Sequence, residues 1–220
     1  MVTETPPPPG LSETTRIEAF SDGVFAIAIT LLVLEIHIPD AETGRTGGLL
    51  LALGDLWPSY VGYVISFVTI GIMWTNHHSI FTLVRRSDRS FMLINVAFLM
   101  GISFLPFPTA VLAEYLPEPE QRRIAVAFYS ATLIVIALLF NALWRYAVWG
   151  GHLLQPNADR KAMRVISRRY ALGPFAYAFS FALAFVNVWA SLATHGVLAI
   201  VFLLPERHVT PGKSVPSETV

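Results

Sequence analysis

Two groups of polar residues interrupt otherwise apolar sequence, and both carry side chains that exchange protons or hydrogen bonds. The first is Arg16, Ser21 and Asp22, followed by an apolar stretch from Gly23 to Leu34. The second is Trp74, Asn76, His77 and His78, inside a run of 29 uncharged residues between Asp55 and Arg85. A carboxylate in an apolar medium needs donors for its lone pairs, and a Trp N–H, a His and a Ser can supply them. Trp74 and His77 stand at i, i+3 and share a helix face. Such a cluster is either a clamp between two helices, which is preferred, or a proton-sensitive relay. His77 and His78 are neighbours, about 100° apart on a helix, whereas metal-binding pairs take i, i+3 or i, i+4 spacing, so no metal site is expected. The chain has no Cys, hence no thiol nucleophile or zinc finger, and no P-loop, dinucleotide fingerprint, H-E-x-x-H or G-x-S-x-G. No enzyme is expected.

Long apolar elements must hold these clusters. Only 14% of residues are charged and 54% are hydrophobic, whereas a soluble domain is roughly a quarter charged. Uncharged runs of 29, 24 (Arg89 to Glu114) and 21 residues (Arg123 to Arg145) each match one bilayer crossing, which takes about 20 apolar residues. A fourth run of 36, from Tyr170 to Pro205, is too long for one crossing and folds back near Asn187. The first segment has only 12 uncharged residues between Asp22 and Glu35. Extended over 16–37 it spans, with its charges facing protein or water rather than lipid. It has acids before it and no A-x-A-like site after it, so it is a retained helix rather than a signal peptide. The expected fold is all-α, a polytopic membrane protein with six transmembrane helices per subunit. They lie at about 16–37, 56–84, 90–114, 122–146, 168–186 and 189–204. This domain, 14–206, is flanked by a disordered Pro-rich tail at 1–13 and a disordered tail at 207–220.

Six crossings place both termini on one side, together with the second and fourth connections. That side holds 12 basic residues against 3 on the other (Arg45, Arg122 and Arg123), which makes the termini cytoplasmic and the location the cell membrane. The outer segments sum to −4 and attract cations, while the cytoplasmic side sums to +4. The balance is zero, with no reason to expect nucleic-acid binding.

Helix 1 enters from the cytoplasm, so Asp22 lies about 9 Å beyond Arg16. Helix 2 enters from outside near Trp57-Pro58, and Trp74, Asn76, His77 and His78 come roughly 29 Å deeper. Both polar groups therefore meet at the inner end. Ile27, Thr30, Leu31 and Leu34 form a second stripe on helix 1, with Ile27 about 140° from Asp22. Copies of this stripe around a symmetry axis would form a hydrophobic ring that gates by dewetting, with Thr30 hydroxyls offering oxygen to an ion.

Arg16-Ile17-Glu18-Ala19-Phe20-Ser21-Asp22 is an R-x-x-x-F-S-D motif opening the first span. With the W-x-x-H of Trp74 to His77 and Leu105-Pro106-Phe107-Pro108-Thr109, it resembles the transmembrane protein 175 family of endosomal and lysosomal potassium channels. The likeness is to the single-repeat bacterial homologues. It implies a homotetramer whose first helices line a central, potassium-selective leak pore, making 14–206 a channel domain. It implies Ile27 as the narrowest ring, Leu31 and Leu34 as apolar layers outward, and Thr30 as the layer associated with selectivity. Arg16, Phe20, Ser21, Asp22, Trp74 and His77 would form a structural network. Potassium in transit is the only ion implied, no cofactor is, and the partners are copies of the chain and the lipid bilayer. The alternative is a proton-coupled membrane transporter using Asp22 and His77, although the broken helices and inverted repeats of such transporters are not evident.

Overall fold

A bilayer offers no water to backbone N–H and C=O groups, so each apolar segment must pair them internally as a helix. The computed structural model of the chain describes residues 12–39, 48–149, 151–155 and 160–203. Helix α1 (Thr15–Leu31) continues as a 3-10 turn (Leu32–Glu35), and a short α2 (Leu49–Asp55) leads into α3 (Trp57–Leu83). Then come α4 (Arg89–Phe104), α5 (Pro106–Tyr115), α6 (Arg122–Val148), α7 (Arg160–Ala184) and α8 (Val188–Leu203). The fold is mostly helical. Strands β1 (Ser12–Glu13) and β2 (Arg86–Ser87) pair antiparallel and tie the start of α1 to the turn after α3.

Among the described residues four segments are long and apolar enough to cross a membrane: Thr15–Glu35, Trp57–Leu83, Arg89–Tyr115 and Arg122–Val148. Helix α7 carries Arg164, Arg168 and Arg169 in its first half, and α8 is apolar but shorter. The expected tails fall mostly outside the described residues, as do Asp40, Glu42 and Arg45 of the first connection.

Local chemistry explains where the elements break. The third segment, expected as one helix, divides at Leu105 because Pro106 and Pro108 have no amide hydrogen to bond back one turn. The Leu105 amide closes instead on the Ile102 carbonyl, 3.2 Å away. The chain reverses at Asn187, whose Oδ1 accepts from the Trp189 and Ala190 amides at 3.0 and 3.1 Å and caps α8. At the other face, Asp88 caps α4 by accepting from the Phe91 amide at 2.8 Å.

Helix α6 is the hub, packed against α4, α5, α7 and α8. Around it Phe91, Phe98, Leu133, Tyr129 and Trp144 are fully buried. Helices α4 and α6 approach closely where Gly101 meets Ile136: a Cβ on Gly101 would lie 2.9 Å from Ile136 Cγ1. Gly62 sits inside α3 against Thr109. Helix α1 stands at the margin of the bundle, resting on α3 and α4.

Candidate functional site

Helix α1 buries a single stripe. Ser21, Phe25, Ala28 and Leu32 recur at steps of four, three and four residues and are all buried. On the other side Ile27 is 62% exposed and Leu34 68%, with Thr30 and Leu31 exposed between them. The 3-10 turn advances about 120° per residue, so Leu34 falls in line with Leu31 three positions earlier. The Thr30 hydroxyl bonds to the Ala26 and Ile27 carbonyls, at 3.0 and 2.9 Å. Its proton is thus used within the helix, leaving lone pairs directed away from it.

The buried stripe begins in a directed chain of hydrogen bonds. Ser21 Oγ donates to the Ile17 carbonyl at 2.8 Å, so its oxygen is left to accept from Asn95 Nδ2 at 3.0 Å. That orientation leaves Asn95 Oδ1 as an acceptor, and it meets His77 Nε2 at 2.9 Å. His77 therefore carries its proton on Nε2. Its ring lies among Phe25, Phe81 and Phe98, with centroids 5.4, 4.6 and 5.8 Å away. Three helices, α1, α3 and α4, are joined through these bonds. Asn95 was not among the sequence candidates. The available signal was a lone Asn in the uncharged run between Arg89 and Glu114, and nothing in that run says which neighbour it meets.

Asp22 belongs to a separate branch. Its Oδ1 accepts from Trp74 Nε1 at 2.9 Å, and one turn nearer the α1 start Glu18 Oε1 meets His78 Nδ1 at 2.8 Å. Ser21, Asp22, Trp74 and His77 thus gather at the same end of α1 and α3, but Asp22 and His77 hydrogen-bond to different partners. Arg16 and Phe20 are exposed, and Arg16 makes no hydrogen bond or ion pair to another described residue.

His195 lies in the middle of α8. It is buried, with Nε2 near Ser130 Oγ (2.8 Å) and Ser180 Oγ (3.0 Å). Outside the spans, Asp88 Oδ2 accepts from Tyr146 at 2.9 Å and pairs with His152 at 3.2 Å. Burial pulls the Asp88 carboxyl up, but the Phe91 amide, His152 and Tyr146 outweigh it and hold the group below the usual carboxylate range. Among the described residues no group of three or more His, Asp or Glu is placed to hold a metal ion.

The family model for the endosomal/lysosomal potassium channel TMEM175 matches residues 16–106. A potassium channel of Chamaesiphon minutus is 50% identical over 196 residues, which are 89% of this chain and 96% of that protein. The chain belongs to the TMEM175 family. The match extends to the fold: the crystal structure of a lysosomal potassium-selective channel TMEM175 homolog from Chamaesiphon minutus superposes with a TM-score of 0.79. It is 49% identical and covers 86% of this chain and 95% of its own. The endosomal/lysosomal proton channel TMEM175 of Bos taurus is 35% identical over 150 residues, 65% of this chain but 31% of that longer protein. The chain is accordingly a membrane protein with the TMEM175 channel fold, from a family of ion channels rather than enzymes.

Proposed function

We propose that four copies of this chain form a potassium-selective leak channel in the cell membrane, with both termini cytoplasmic and α1 of each copy lining a central pore. The observation that carries this is the division of α1 into two faces. Ser21, Phe25, Ala28 and Leu32 are used within the subunit, while Ile27, Thr30, Leu31 and Leu34 are exposed on the opposite side. Turned to a fourfold axis, Ile27 forms the narrowest ring and Leu31 and Leu34 the layers outward, a passage that closes by losing its water. Thr30 places an oxygen lone pair in each copy toward a passing cation. Helices α7 and α8 complete six crossings as a short hairpin. Ser21, Asp22, Trp74 and His77 hold α1 against α3 and α4 so that the ring keeps its diameter, with Arg16 and Phe20 at its cytoplasmic entrance.

The test is flux from liposomes containing purified protein shown to be tetrameric. A potassium flux exceeding the sodium flux is expected; tetramers that pass neither ion refute the channel. Proton permeation is the second reading, favoured by the bovine relative's name. A pH-sensitive dye trapped in the same liposomes separates the two.

A further inference from the structure

Helix α7 packs on α6 and α8, whereas α1 packs on α3 and α4, so the groove between α6 and α7 is formed by helices other than those α1 rests on. This groove has a volume of about 440 Å³ and is lined by Ile134, Leu138, Ala171, Pro174, Phe175 and Ala178. Pro174 has no N–H for the Tyr170 carbonyl one turn back, and Asn141 Nδ2 reaches across from α6 to take that carbonyl at 2.8 Å. The proline therefore sits inside a continuous α7 without leaving the Tyr170 carbonyl bare, and apart from Asn141 and Arg145 the lining is apolar.

The groove ends in positive charge. Arg145 lines the end that the proposed topology makes cytoplasmic, seven residues after Leu138 and eleven after Ile134. Both spacings fall within about 20° of one helix direction. On α7, Arg168 and Arg164 stand seven and eleven residues before Phe175, again in line with it. Trp144 Nε1 donates to Ser167 Oγ at 2.8 Å, which sets Arg145 and Arg168 at the same level. Arg145, Arg164 and Arg168 are exposed, and none pairs with a described carboxylate. From Arg145 to Ile134 the groove runs about 16 Å, close to the roughly 15 Å hydrocarbon depth of one leaflet.

We infer that this groove binds an anionic phospholipid of the cytoplasmic leaflet, its acyl chain along Ile134, Leu138, Phe175 and Ala178 and its phosphate on Arg145 and Arg168. The occupant follows from length and charge together. A soluble anion leaves the apolar length empty, and a zwitterionic lipid brings an ammonium group to the arginines. An anionic lipid satisfies both ends.

Purified protein in detergent is equilibrated with phosphatidylglycerol and phosphatidylcholine of matched chains, and bound lipid is counted by native mass spectrometry. An excess of phosphatidylglycerol is expected. At about fivefold per arginine, Arg145→Ala with Arg168→Ala lowers its retention about 30-fold and leaves phosphatidylcholine unchanged. Arg85→Ala, on another cytoplasmic segment, changes neither. Ala178→Phe, which fills the exposed groove, lowers both. Equal retention of the two lipids by the unaltered protein, or an undiminished excess in the double variant, overturns the proposal. So does a disulfide between subunits through Phe175→Cys in this Cys-free chain, which would make a second copy the occupant. Ion flux enters none of these measurements, so the lipid site and the channel fail separately.

Discussion

Replacing Asn95 by Ala removes a side chain that joins α1, α3 and α4 through hydrogen bonds. Asn95 is 1% exposed and gives up two interhelical bonds, to Ser21 Oγ at 3.0 Å and His77 Nε2 at 2.9 Å. Inside a membrane such bonds average only about 0.6 kcal/mol each, because the unassembled helices also find partners. The larger effect is on what remains. Ser21 keeps its bond to Ile17, but the His77 N–H is orphaned among aromatic rings, at about 1–3 kcal/mol. Asn95→Ala should thus cost roughly 2–4 kcal/mol, a fall of about 5–15 °C in the melting temperature in detergent. The sign of the coupling is the sharper test. His77→Phe keeps a ring among Phe25, Phe81 and Phe98 but has no N–H to orphan. Added to Asn95→Ala, it should restore about 1 kcal/mol relative to the sum of the single losses. Additivity within about 0.5 kcal/mol would show that His77 does not hold its proton toward Asn95, and would refute the directed chain.

Other consequences are separate from this one. Ile27→Asn puts an amide on the most exposed side of α1 and should raise single-channel conductance by wetting the ring; unchanged currents remove Ile27 from the constriction. Gly101→Ala drives a methyl to 2.9 Å from Ile136 Cγ1 and should cost about 1–3 kcal/mol; Ile136→Ala, which removes that atom, should in the same chain cost less melting temperature than the sum of the two single losses. Asp88 has a depressed folded-state pKa, so its contribution is complete above the ordinary carboxylate value and lost as pH falls through the folded value. Asp88→Asn, an equally good cap, should flatten that acid-side loss in a melting-temperature profile, whereas Asp88→Ala removes about 1 kcal/mol at neutral pH as well.

The spans were legible because their cause is one-dimensional. A hydrocarbon layer of about 30 Å demands some 20 uncharged residues wherever the helix stands in the bundle, and 15 Å of rise per ten residues puts Asp22 and Trp74 at one depth. Their hydrogen bond, at 2.9 Å, needed no further knowledge than depth and a shared contact. The family likeness was legible for a different reason: the spacing within Arg16 to Asp22 is local and survives without any knowledge of packing.

What depended on rotation about a helix axis was not legible. That His77 turns to Asn95 rather than to Asp22 is decided by which face α4 presents to α1 and α3, and an apolar run such as 90–113 carries too little periodic contrast to announce it. His195 shows the same limit. In a uniformly apolar α8 its position along the chain said nothing of the Ser130 and Ser180 hydroxyls that surround it. Break points fell between the two cases: the prolines at 106 and 108 carried the signal of a break that the single-helix expectation passed over, and only the neighbouring helix shows how the Tyr170 carbonyl freed by Pro174 is satisfied, by Asn141. The residues by themselves determined four segments apolar enough to cross, among the described residues, and to which family the chain belongs. Tertiary structure decided which side of α1 is buried in its own subunit and which is left open. Depth follows from counting residues along one helix, whereas facing requires at least two helices and the side chains between them.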